Sequence, residues 1–263
     1  MAENISTTVE DGVGTIVLDR PQVLNALNPQ MASALKEATT TLAADARVRC
    51  VVIKGAGEHF MAGGDVRHFH ALLQDSAHKA ERQIGAEIED VHAAIVNICS
   101  MPKPVLASIR GASAGFGMSL VAACDLAIAA EDAVFSLAYC RIGTSPDGGS
   151  TWTLPRMVGL KRAMELALLG DRITPQQASD FGLINWVVPA AELAKMTNEL
   201  AVRLAAGPAA ALARTKALLS ESLATDLAAQ LRAEKASFLS GVTGSEFAEG
   251  VSAFVEKRPA RFA

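Results

Sequence analysis

The chain has 263 residues, half of them hydrophobic and 20 % charged, and its 24 Lys and Arg against 28 Asp and Glu give a formal charge of −4. That balance excludes a disordered chain and gives no overall basic bias toward nucleic acid. At roughly 150 residues per domain the length fits one large domain or two small ones, with a core that needs no covalent staple.

The N-terminus, Met1-Ala2-Glu3-Asn4, lacks a basic segment followed by an apolar run, so no secretory signal is expected. Short Val- and Ile-rich runs bounded by Gly, Pro or charge predict strands at Gly14 to Asp19, Cys50 to Lys54, Val105 to Ile109, Leu126 to Ala129, Val134 to Leu137 and Ile184 to Val188. Helices are expected between them. Asn28-Pro29 and Thr174-Pro175 each open one, with a capping side chain followed by Pro at the first helical position. A longer one runs from Ala80 to Cys99. The alternation predicts an α/β fold. After Pro189 strand formers fade, and Ala190 to Ala206, Pro208 to Leu239 and Ser245 to Glu256 read as an all-helical region suited to packing or subunit contact. The division is therefore a core over 1–189 and a helical part over 190–263.

The longest apolar run, Leu120 to Ala130, is broken by Asp125 and is too short to cross a bilayer. Cys50, Cys99, Cys124 and Cys140 form no C-x-x-C pair and sit in apolar stretches, which predicts reduced core thiols in a cytoplasmic protein. His68 and His70 form an H-x-H that nothing nearby completes, so both are expected in solvent and no metal site is expected.

Three segments carry chemistry. His59-Phe60-Met61-Ala62-Gly63-Gly64-Asp65-Val66 follows a predicted strand, and its paired glycines make either a plain tight turn or a place where a ligand approaches the backbone. Gly111-Ala112-Ser113-Ala114-Gly115-Phe116-Gly117 follows another and leads into a helix, whose first N–H groups and dipole favour negative charge. Its glycines do not make the dinucleotide pattern G-x-G-x-x-G. Two such turns can supply backbone donors to an oxyanion, each worth about 2.7–4 kcal/mol to a transition state. The third segment, Arg141-Ile142-Gly143-Thr144-Ser145-Pro146-Asp147-Gly148-Gly149-Ser150, offers one carboxylate at Asp147, either as a turn or capping residue or as a proton carrier where water is sparse.

Taken together, these segments resemble the enoyl-CoA hydratase/isomerase family, the crotonase superfamily. The resemblance runs from Leu18-Asp19-Arg20-Pro21-Gln22-Val23-Leu24-Asn25-Ala26-Leu27 to Phe254-Val255-Glu256-Lys257-Arg258. It implies a spiral of ββα repeats, a helical C-terminal trimerisation region, trimers or hexamers, an acyl-CoA substrate, and no cofactor beyond the coenzyme A of that substrate. It also implies Gly64 and Phe116 as the two oxyanion donors. A bulky residue at the second position is unusual, and its ring is expected to reshape the acyl pocket. Ala62, Arg67 and Lys257 are expected on the coenzyme A side. Gln22 stands where the family usually has a Lys, which removes one phosphate partner.

The family's hydratases hold water between two glutamates, and the matching positions here are Ser119 and Tyr139. Efficient hydration is therefore not expected. A double-bond shift needs one carboxylate, and the segment around Asp147 is similar to the single-acid enoyl-CoA isomerases. His92 matches the catalytic His of an aryl-CoA dehalogenase in the same superfamily. The alternatives are thus a dehalogenase or hydrolase using Asp147 with His92, or an acyl-CoA-binding homologue with little turnover.

Overall fold

The computed structural model describes residues 4–262. Eight strands run in the order β1 (Ile5–Glu10), β2 (Val13–Leu18), β3 (Cys50–Gly55), β4 (Val105–Ile109), β5 (Ala112–Ala114), β6 (Leu126–Ala130), β7 (Val134–Ser136) and β8 (Trp186–Val188). Between and after them lie helices α1 (Pro29–Ala44), α2 (Val66–Asp75), α3 (Ala77–Ser100), α4 (Phe116–Ala123), α5 (Ser150–Val158), α6 (Leu160–Leu169), α7 (Pro175–Asp180), α8 (Leu193–Ala205), α9 (Ala209–Ser222), α10 (Leu227–Val242) and α11 (Ser245–Glu256). Two sequence-predicted starts hold in detail. Asn28 caps α1 through Met31 N–H, and Thr174 with Gln177 forms a capping box on α7.

The main sheet has the order β1-β2-β3-β4-β6-β8, antiparallel at β1–β2 and parallel from β2 onward. Its central strands are buried on both faces, as parallel strands must be. Val51 and Ile53 of β3, Ala107 of β4 and Ala129 of β6 face one core with α1 and α3. Cys50, Val52, Leu106 and Ile128 face a second core. A second layer pairs β5 with β7 in parallel and extends through single bridges, Leu27 to Gly64, Met61 to Ser113 and Phe135 to Ile173. Each turn of the chain thus adds a strand to the main sheet and a shorter one to the second layer, which is the ββα spiral. The glycine turns lie at the ends of the short strands.

The helical C-terminal region divides in two. Leu193, Leu200, Ala201 and Ala205 of α8 fill the second core, so this helix belongs to the same packed unit as the sheet. Helices α9 and α10 bury no residue and α11 buries only Ala253. One tether holds α9 to the core. Lys216 Nζ donates to Ile98 O at 2.7 Å, Lys103 O at 3.1 Å and Asp125 Oδ2 at 2.7 Å. Burial pushes the Asp125 carboxyl up from its usual range, and the Lys216 ammonium beside it opposes that rise.

Three expectations need correction. The stretch from Pro208 to Leu239 is two helices, because Asp226 caps a new start through Ala229 N–H. Strand β1 was not predicted, and it buries only Ile5 fully. Cys140 is exposed in a short turn, whereas Cys50 and Cys124 are buried and Cys99 half-buried. Burial pushes the Cys50 thiol up to about 12, so it stays protonated.

Candidate active site

The two glycine turns meet. A β-carbon on Gly63 would lie 3.0 Å from Ala114 O and 3.5 Å from Phe116 N. Leu27 N–H donates to Gly63 O at 2.7 Å, and Asp65 N–H donates to Leu27 O at 2.8 Å. In a parallel pairing of that kind the residue between, Gly64, turns its own N–H to the opposite edge. Gly115 has φ +51°, a left-handed value that an L side chain resists, and this kink starts α4 with Phe116 at its first position. Gly117 is forced by close approach, since a β-carbon there would lie 2.3 Å from Met61 O. Among the described residues neither Gly64 N–H nor Phe116 N–H has an acceptor. Both donors are left for a ligand.

The Phe116 ring is 2 % exposed and points into the protein. A β-carbon on Gly148 would stand 2.6 Å from Phe116 Cδ2 and 2.7 Å from Ser119 Cβ. The ring therefore lies against Gly148, next to Asp147, so the second glycine turn and the Asp147 loop pack together.

Asp147 is half-buried and held at both ends. Tyr139 Oη donates to Asp147 Oδ1 at 2.6 Å, and Ser119 Oγ stands 3.3 Å behind the phenol oxygen. Burial and the adjacent Asp147 carboxylate push the Tyr139 hydroxyl well above its usual range, so it remains a donor. Tyr139 is aimed inward by Ala138, whose φ of +46° costs about 1 kcal/mol for an L residue. At the main chain, His92 Nε2 lies 2.6 Å from Asp147 O. A carbonyl only accepts, so Nε2 carries the hydrogen. His92 thus touches Asp147 through its backbone and not its carboxylate.

The positions expected to bind coenzyme A are only partly gathered. Gln22, Leu24, Ala26 and Arg67 line one shallow groove of about 310 Å³ beside the first turn. Ala62 flanks it, donating its N–H to Leu24 O at 3.0 Å. Lys257 lies after α11 and does not line that groove. Asp65 caps α2 and pairs with Arg20 at 3.0 Å. Burial pushes its carboxyl up, but the hydrogen bonds from Arg20 and the His68 N–H outweigh that and hold it below the usual carboxylate range.

His68 is half-buried rather than solvated. Its Nε2 meets Glu87 Oε1 at 2.7 Å, joining α2 to α3, while His70 is exposed as expected. Sequence reasoning treated Tyr139 only as a lost acid. Its hydrogen bond to Asp147 is the functional contact it missed, and a buried Tyr, whose hydroxyl needs a partner, was the available signal.

Comparison with known proteins agrees over the whole chain. Residues 8–263 match the family model described as enoyl-CoA hydratase/isomerase. A Rhodobacter capsulatus protein named "Probable enoyl-CoA hydratase" is 40 % identical over 97 % of this chain and 95 % of its own. The 1,2-epoxyphenylacetyl-CoA isomerase of Escherichia coli K12 is 36 % identical over 100 % of this chain and 99 % of its own. The crystal structure of an enoyl-CoA hydratase from Polaromonas sp. JS666 superposes with a TM-score of 0.92 at 36 % identity, covering 98 % of this chain and 99 % of that one.

Proposed function

The chain belongs to the enoyl-CoA hydratase/isomerase family, and on that premise we propose that it is an enoyl-CoA isomerase that shifts the double bond of an acyl-CoA thioester. One observation carries this reading. Gly148, next to Asp147, packs on Phe116 and Ser119 and the Asp147 carboxylate is held by Tyr139, while Ser119 and Tyr139 fill the two positions at which hydratases of the resemblance place acids. Other carboxylates near the first turn are engaged, Asp65 by Arg20 and Glu87 by His68.

The chemistry follows from that set. Asp147 takes a proton from the carbon α to the thioester. The C–H electrons move into the carbonyl, and the resulting enolate oxygen is held by Gly64 and Phe116 N–H. The protonated Asp147 then returns the proton at the γ-carbon, and the electrons collapse to the conjugated alkene. Atoms and charge balance with no further reagent, and no cofactor is called for beyond the coenzyme A of the substrate. Hydration would need a base for water as well as an acid for the α-carbon, and with Ser119 and Tyr139 at the two positions only the Asp147 carboxylate is there to serve as a base.

The assembly belongs to the same reading. Leu219, Leu227, Leu231, Phe238 and Phe254 are exposed on the last three helices, which supports a trimer or hexamer built through them. Among the described residues no helix is long and apolar enough to cross a membrane, and the free thiols fit a cytoplasmic setting.

The test is a spectrophotometric assay on matched 3-enoyl-CoA and 2-enoyl-CoA substrates. Isomerisation is expected to exceed hydration by about a hundredfold or more, the usual scale of a missing acid–base group. Hydration as fast as isomerisation would overturn the proposal.

A further inference from the structure

Tyr139 is 8 % exposed and its hydroxyl meets Asp147 Oδ1 at 2.6 Å and Ser119 Oγ at 3.3 Å, with the Asp147 backbone N–H also directed at it. An ionised carboxylate only accepts, so the phenol proton points at Oδ1 and the phenol oxygen accepts from Ser119. Asp147 Oδ2 has no partner among the described residues. The main chain of Asp147 is fixed separately, by His92 of α3. The carboxyl group is thus anchored at one oxygen, and its two oxygens are made unequal.

We propose that Tyr139 is a positioning residue that makes Asp147 a one-oxygen base. By occupying Oδ1 it reserves Oδ2 both to take the α-proton and to return the same proton at the γ-carbon. This rests on the isomerase reading above and adds to it a residue and a stereochemical consequence. The bond broken at the α-carbon and the bond made at the γ-carbon share one oxygen, so the proton stays on one face of the substrate. It has no reason to exchange with water in the lifetime of the enolate. Without the phenol, Oδ1 is free to hydrogen-bond to water, the carboxyl can turn, and the proton can leave through either oxygen. No other titratable group touches the carboxylate: His92 meets only the carbonyl of the same residue.

The test uses a 3-enoyl-CoA deuterated at the α-carbon, in ordinary water, with the product analysed by mass spectrometry for deuterium at the γ-carbon. The wild type is expected to retain most of the transferred label. Tyr139→Phe, which removes one oxygen and keeps the ring, is expected to lose most of it. It should also lower kcat by about ten- to a hundredfold, the range for a hydrogen bond to a charged group, with KM changed less than about twofold. A tyrosine that only fills space would leave both kcat and retention untouched in this variant, and that result overturns the inference while the isomerase reading stands. The wild-type arm needs no variant: an active wild type that loses its label fully to solvent overturns the inference as well. A wild type that shifts no double bond overturns the isomerase reading and this inference with it.

Discussion

His92 and Asp147 meet at 2.6 Å through an imidazole nitrogen and a backbone carbonyl, so the carboxylate is left to Tyr139. In this arrangement the imidazole holds the main chain of the loop that carries Asp147.

The two residues should then respond unequally to substitution. Asp147→Asn is expected to lower isomerase turnover by about 10²–10⁴-fold, with acyl-CoA affinity within about twofold by calorimetry. His92→Gln is expected to cost less than about tenfold, the scale of one neutral hydrogen bond. Severe loss in both, together with a covalent adduct on Asp147 from an aryl-CoA thioester, would transfer the protein to the dehalogenase or hydrolase branch.

Gly117→Ala tests the oxyanion turn without touching a donor. Its β-carbon would stand 2.3 Å from Met61 O, a backbone atom that cannot rotate away. The start of α4 must shift, and with it Phe116 N–H. Turnover is expected to fall about a hundredfold, measured beside a melting curve to confirm that the variant is folded.

Lys216→Met addresses the C-terminal region. It takes the Lys216 ammonium from two carbonyls and from Asp125, which keeps only the Val105 N–H, with the paired side chains 11 % and 27 % exposed. Breaking a pair so situated costs about 3 kcal/mol, or a melting temperature lower by about 6 °C or more in a chain of this size. Because α9 buries nothing else, limited proteolysis should cut first between α8 and α9 in this variant.

The Arg20–Asp65 pair predicts a pH dependence. Asp65 titrates below its ordinary 3.8 in the folded chain. Its contribution to stability is therefore complete above that value and is lost as pH falls below it through the lowered folded value. In Asp65→Asn the melting temperature should start lower near neutrality and fall less steeply between about pH 5 and pH 2 than in the wild type.

The parallel core was legible because β3, β4 and β6 are continuous apolar runs between clear breaks, the pattern of strands covered on both faces. Strand β1 was not, since Ile5-Ser6-Thr7-Thr8-Val9-Glu10 buries one residue fully and resembles a polar terminus. Strand β5 has three residues, too few for any period to show. At the candidate site, two glycine turns and a lone acid stand out as short local patterns, while the naming of Gly64 and Phe116 as donors comes through the family resemblance. The contacts of Tyr139 with Asp147 and of His68 with Glu87 are tertiary. They depend on how a turn after a strained Ala138 and two helices are placed, which no local spacing records.

In the proposed reaction the atoms that hold the negative charge belong to the main chain at positions 64 and 116, so they survive nearly every side-chain replacement. An alanine scan would register Phe116 as a packing residue, since removing a buried ring of that size costs about 3–5 kcal/mol of stability, and would miss its amide altogether. Amide-to-ester substitution at the two positions would separate the chemistry from the packing. The same reasoning predicts that natural or selected variation at 116 tracks the residue at 148, because the ring occupies the space that any side chain there would need.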